Sequence, residues 1–212
     1  RYDSKDECFA ARKAAEEEWQ KWTTWLDEEV ASFTKLAHPN LIEIYEADYN
    51  LDERTLFIAM EHVAGESLQE RLKSGPLQRN EAVELVEQLG NALTYLHEQH
   101  LFHLGLNPTN ILLDTRQQPI RPVLINLGQT TLLPRDEYIF TRKPAVQLAR
   151  QYMAPEQWLP DQPVTSATEV YSLAVILFEA LVGHLPTGRQ PGEPLPRLSQ
   201  FSSSRDVMLD DV

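Results

Sequence analysis

The chain has 212 residues, 42% of them hydrophobic, which suits one domain or two small lobes and excludes wholesale disorder. Lys plus Arg number 19 and Asp plus Glu 32, a net charge of −13 that repels phosphates and argues against general nucleic-acid or anionic-membrane binding. One cysteine, Cys8, leaves no internal disulfide and no cysteine metal cluster, which fits a reducing, cytoplasmic setting.

The chain opens at Arg1 without Met and without an apolar signal core, so a fragment of a longer protein is expected. The apolar patch Cys8–Ala11 is compatible with a strand. From Ala14 to Ala37 the pattern is helical: Trp19, Trp22, Trp25, Leu26, Val30, Phe33 and Leu36 fall on one face. Pro39 stops that helix by disfavouring helical backbone at His38. Leu41–Ala47 and Thr55–Met60 predict two strands, joined by a polar connection over Asp48–Arg54.

After Gly65 a short helix is expected over Ser67–Lys73, then a turn at Gly75-Pro76. Asn80–Gln99 predicts a long amphipathic helix, with Val83, Val86, Leu89, Leu93 and Leu96 inward and Asn80 as cap. Short strands follow at Ile111–Leu113 and Val123–Ile125, with a turn at Gly128 and an irregular stretch from Gln129 to Met153. Ala167–Leu181 is a nearly all-apolar helix, expected to be buried on most sides. It contributes to the longest apolar run, Leu173–Val182, which Glu179 interrupts well short of the ~18 residues of a membrane span. The tail after Gly188 is rich in Pro, Ser and charge. Strands early and helices late make this an α+β chain, divided here into lobes 1–63 and 64–212.

The segment His103-Leu-Gly-Leu-Asn-Pro-Thr-Asn-Ile-Leu-Leu resembles the catalytic loop of protein kinases, His-Arg-Asp-Leu-x-x-x-Asn. Asn126-Leu127-Gly128 stands where those kinases carry Asp-Phe-Gly. Tyr152-Met-Ala-Pro-Glu-Gln157 matches their Ala-Pro-Glu element in wording like that of bacterial Ser/Thr kinases, and Glu169–Val175 resembles the buried helix after it. Upstream, Glu29–Asn40 is similar to the C-helix and Ala59-Met60-Glu61-His62-Val63 to the hinge between lobes. Six elements in the right order are far more specific than any one. The resemblance implies a two-lobed kinase fold; the missing Gly-rich loop is either a real loss or an effect of truncation, and with no late lower-lobe helix seen, truncation at both ends is expected.

The departures from the family pattern concern its chemistry. A kinase uses the catalytic-loop Asp as base and the Asp of Asp-Phe-Gly to hold Mg²⁺. Here those positions are Gly105 and Asn126. Asn107 replaces the usual Lys, and Leu104 the Arg that pairs with a phosphorylated loop. Asn110, the second metal position, is retained; Asn110 and Asn126 are thus the implied, charge-poor metal ligands. Thr130, Thr131, Tyr138 and Thr141 lie where kinases are phosphorylated and read as ordinary polar loop residues. Aligning Phe9–Arg12 on Val-Ala-Ile-Lys puts Arg12 at the phosphate-gripping position, with Lys13 as alternative and Glu29 as ion-pair partner. Further nucleotide positions implied by the resemblance are Met60, Glu61, Val63, Ser67 (ribose) and Leu112, which with Ala10 could sandwich a purine. Phe33, Ile44, His103 and Leu127 take the places of the family's hydrophobic spine. The Glu156 equivalent usually pairs with an Arg in a late helix, and none is seen before Val212.

These losses point to a catalytically inactive module, a pseudokinase that binds or regulates a protein partner, without nucleic acid and without membrane contact in this chain. The cytoplasm, or the cytoplasmic part of a larger protein, is the expected place. The alternatives are a sensor that binds ATP with weak or no Mg²⁺ dependence, and an atypical Ser/Thr kinase using Asn126, Asn110 and a displaced carboxylate, Asp114. Trp19, Trp22 and Trp25 are either core packing or a docking surface.

Overall fold

The computed structural model describes residues 12–17, 19–20, 23–24, 31–50, 53, 55–127, 149–159, 162–185, 193–197 and 200. Two compact units account for the chain: Arg1–Ala37 with Glu43–Glu61, and His38–Ile42 with His62–Val212. The division differs from a cut at residue 63, because His38–Ile42 joins the second unit. Asn40 is the reason: its buried amide donates to Pro122 O at 2.8 Å and Gln88 Oε1 at 3.0 Å, while Ile42 N–H donates to Leu124 O.

In the first unit residues 12–17, 19–20 and 23–24 are helical, as is Ala31–Phe33 (α1). The hairpin β1 (Ile44–Asn50) and β2 (Thr55–Met60) pairs antiparallel, with a register irregularity at Ile44–Glu46. Pairing runs out to Asn50–Thr55, so the connection is shorter than the polar residues from Asp48 suggested. Asn50 Oδ1 accepts from Glu53 N–H there. Phe33 and Ile44 are buried. The expected strand at Cys8–Ala11, together with Trp22, Trp25, Leu26, Glu29 and Val30, lies outside the described residues.

The second unit carries a three-stranded antiparallel sheet in the order β3 (Gly65–Ser67), β4 (Ile111–Asp114), β5 (Arg121–Leu124). Gly65 is obligatory: a Cβ there would sit 1.7 Å from Leu113 O on the neighbouring strand. Ser67 ends β3 and caps α2 (Leu68–Leu72), its side chain accepting from Glu70 N–H at 3.2 Å.

The long helix α3 spans Arg79–Glu98 and is capped at Gln78, not Asn80; the Glu81 carboxylate reaches back to Gln78 N–H at 2.9 Å. Its buried stripe is Ala82, Leu85, Leu89, Ala92, Leu93 and Leu96. Val83 and Val86 lie beside that stripe and are only partly buried. Packed against α3 is α4 (Ser166–Val182), which ends at Gly183 in the left-handed region, φ 88°, with Gly183 N–H donating to Glu179 O. One broad side of α4 is buried, but Ala167, Val170 and Ala174 form an exposed stripe, so burial is less complete than its composition implied. Among the described residues no helix is long and apolar enough to cross a membrane.

Candidate functional site

The candidate site is built on residues 103–110 and 125–127 of the second unit. His103 is wholly buried. Its Nδ1 accepts from Gly105 N–H at 3.2 Å, so Nε2 carries the proton and donates to Ile125 O at 3.0 Å. Burial holds the imidazole below its usual pKa against the attraction of nearby Glu169, which fits a neutral ring used as a structural pin.

Glu169 supplies the base of the loop. It is almost completely buried on α4, and its Oε1 accepts from the backbone N–H of His103 at 2.6 Å and of Leu104 at 2.7 Å. The other oxygen meets His97 Nε2 at 2.6 Å. Leu104 adopts φ 54°, and the two successive N–H groups converge on one oxygen. Gln157, in the 3₁₀ turn Pro155–Trp158, donates to Leu104 O at 3.2 Å and accepts from Ala154 N–H at 3.0 Å. That turn is held in place by Glu156, whose carboxylate accepts from Thr168 Oγ1 at 2.6 Å. A threonine on α4 thus occupies the carboxylate for which the family pattern supplies an arginine.

The positions of the expected chemistry close on one another. Asn107 Nδ2 and Asn110 Nδ2 both donate to Gly105 O, at 2.9 and 2.8 Å. Asn107 Oδ1 accepts from Thr109 N–H and its hydroxyl, capping the 3₁₀ turn Pro108–Asn110. Asn126, at φ 62°, donates its Nδ2 to Asn110 Oδ1 at 2.9 Å. A hard dication such as Mg²⁺ seeks charged oxygens. This set offers amide oxygens only, each already accepting a hydrogen bond or belonging to a neutral asparagine, so the donors do not fit that ion.

Asp114 corrects the idea of a displaced catalytic base. It is wholly buried at the end of β4, and Arg116 grips both its oxygens at 2.9 and 2.7 Å while Arg121 donates at 3.1 Å. The Arg116 hydrogen bonds, with help from Arg121, hold its carboxyl far below the ordinary range despite desolvation. A base so strongly committed to two guanidiniums is a poor proton acceptor.

The other expected residues are dispersed. Arg12 is exposed at the start of the helical stretch 12–17, not on a strand, and Lys13 pairs with Glu17 at 3.7 Å one turn on. Glu29 and Gly128 lie outside the described residues, as do Ala10, Thr130, Thr131, Tyr138 and Thr141. Met60 is exposed at the end of β2 and Glu61 follows it, whereas Val63 is buried. Ser67 and Leu112 are brought together as register partners across β3 and β4. Phe33 and Ile44 are core residues of the first unit, and His103 and Leu127 of the second. Trp19 is half-buried. Sequence reasoning named Glu169 and Gln157 only as motif members; the signal for Glu169 was an acid, one of two with Glu179, in an otherwise largely apolar helix, which demands a buried partner.

A protein kinase domain model matches residues 2–204. The chain belongs to the protein kinase family. Among its relatives, the serine/threonine-protein kinase PrkC of Bacillus subtilis is 31% identical over 159 residues, covering 74% of this chain and 23% of PrkC. The serine/threonine-protein kinase pkn2 of Myxococcus xanthus is 29% identical over 185 residues, covering 86% of this chain and 21% of pkn2. This kinase domain therefore spans less than a quarter of either relative. Its fold is that of the Mycobacterium tuberculosis PknI kinase domain, with a TM-score of 0.69 at 24% identity, covering 89% of this chain and 68% of that one.

Proposed function

We propose that this kinase-family chain is a pseudokinase, a module that binds or regulates a protein partner and transfers no phosphate. The observation that carries the reading is the closed amide ladder from Asn126 through Asn110 to Gly105 O. Three positions that carry charge in a kinase are here Gly105, Asn107 and Asn126, and the retained Asn110 is joined to Asn126 and to the loop backbone. Losing one catalytic electrostatic group slows an enzyme by about 10²–10³. Loss of the base and the charged metal ligand together leaves no useful rate. A protein partner and a cytoplasmic setting belong to the same proposal.

The names of the relatives favour a second reading, an atypical Ser/Thr kinase. The geometry of Asp114 weighs against its use as the base. Incubation of the chain with radiolabelled ATP, Mg²⁺ or Mn²⁺ and casein separates the two. The expected result is no incorporation above a heat-denatured control. Turnover that disappears in Asn110→Ala would establish the kinase reading instead. Calorimetric titration of ATP with and without Mg²⁺ then decides the nucleotide-sensor alternative: saturable binding indifferent to Mg²⁺ supports it, and no heat at millimolar ATP removes it.

A further inference from the structure

Beyond α4 the second unit includes the stretch Glu193-Pro194-Leu195-Pro196-Arg197, which is neither helix nor strand. Every residue from 193 to 196 is a proline or precedes one. Proline fixes φ at about −65° and removes the N–H, so it can join neither a helix interior nor a sheet ladder. The residue before a proline is pushed to extended backbone. The whole run is thereby biased to the polyproline helix, which turns once in about three residues and makes no internal hydrogen bonds.

The stretch is held at both ends. Tyr171 Oη on α4 donates to Glu193 O at 3.3 Å, and Arg197 O accepts from Gln200 N–H at 3.1 Å. Leu195 and Pro196 are half-buried, whereas Pro194 and Arg197 are exposed. Residues three apart share an edge of a polyproline helix, about 9 Å from one another. Pro194 and Arg197 therefore present a proline ring and a guanidinium along one outward edge. A strap that is already extended and tethered loses little freedom on binding.

That edge defines its complement. A proline ring on a polyproline helix is read by a slot between aromatic rings, and a guanidinium by a planar carboxylate. The chain's net charge of −13 repels a broadly acidic surface, so one carboxylate at the end of the slot fits better than an acidic patch.

We infer that residues 193–197 form a docking strap for a partner protein whose aromatic-lined groove takes Pro194 and whose single carboxylate, about 9 Å along it, takes Arg197. The inference gives the partner of the proposed module a chemistry. It does not depend on whether the 103–110 loop transfers phosphate, so either claim can fail alone.

The test titrates the full chain into a panel of fluorescein-labelled SH3 domains, used as probes because their grooves are aromatic-lined and read polyproline segments. Fluorescence polarisation is expected to show saturable binding of at least one domain. Pro194→Ala and Arg197→Gln, exposed changes that leave the fold intact by circular dichroism, are each expected to weaken it about tenfold. Changing the carboxylate at the groove end of that domain to its amide should also weaken binding of the parent chain. The same change should cost little more against Arg197→Gln, because the pair is already broken. Absence of saturable binding by every domain at millimolar chain, binding unchanged by Pro194→Ala or by Arg197→Gln, or fully additive losses in the paired changes would overturn the proposal.

Discussion

Asn126 donates its side-chain amide to Asn110 Oδ1 across 2.9 Å, and Asn110 in turn donates to Gly105 O. Two residues that the family's metal chemistry would keep open are thus bound to each other. On the pseudokinase proposal, a single substitution here is therefore not expected to create phosphotransfer.

Asn126→Asp is expected to destabilise the chain by about 1–2 kcal/mol, because it removes the donor and sets a carboxylate against an amide oxygen. Urea denaturation checks the loss. Mg²⁺ should not raise the melting temperature of this variant, and phosphotransfer should stay absent, since Gly105 still provides no base. A Mg²⁺-dependent stabilisation would show that the ladder opens more easily than its geometry implies.

Glu169 anchors the loop through two backbone N–H groups and His97. Glu169→Ala leaves those donors buried without an acceptor and is expected to cost about 3–5 kcal/mol. Glu169→Gln keeps an acceptor oxygen and should cost about 1–2 kcal/mol. Chemical denaturation of both variants orders them. Equal stability of the two would mean that water replaces the carboxylate.

Asp114 sets an acid limit. Its folded pKa is depressed by Arg116 and Arg121, so its stabilisation is complete above the unfolded carboxylate value and is lost only as pH falls toward the folded one. Asp114→Asn should therefore be less stable than the parent at pH 7, by a margin constant down to about pH 4 and shrinking below it. Melting curves from pH 7 to pH 2 measure the margin. A difference that fades between pH 7 and pH 5 would contradict the ion pair.

Glu179 has the opposite sign. Burial raises its pKa, against a hydrogen bond from Tyr152 and the charge of His184. A raised value means that its contribution is fully present below the unfolded carboxylate pKa and lost as pH rises through the folded one. Glu179→Gln, which still accepts from Tyr152, should gain on the parent as pH rises from about 4 toward neutrality. Paired denaturation midpoints across that range would show the gain, and a flat difference would sink the idea.

Most of the fold was legible because local pattern carries it. The helices at 79–98 and 166–182 and the strand at 55–60 follow from period and punctuation. Strand β3 was missed because three residues are too short for a period, and its presence depends on β4 lying alongside. The cap of α3 moved from Asn80 to Gln78 because Glu81 completes a reciprocal box there. Arg12 was placed on a strand by alignment alone, whereas its own neighbours favour helix.

By itself the sequence determined the order of elements, the family and which chemical groups are missing: a glycine has no carboxylate in any fold, and Asn126 no charge. Only the tertiary structure decided what the remaining groups do. Asn126 meets Asn110 from 16 residues away and Glu169 meets His103 from 66. Asp114 is held by Arg116 two residues on and, less tightly, by Arg121 of the neighbouring strand. Such pairings depend on which distant segments the packing brings together, because a buried polar group must find its partner wherever the chain happens to return.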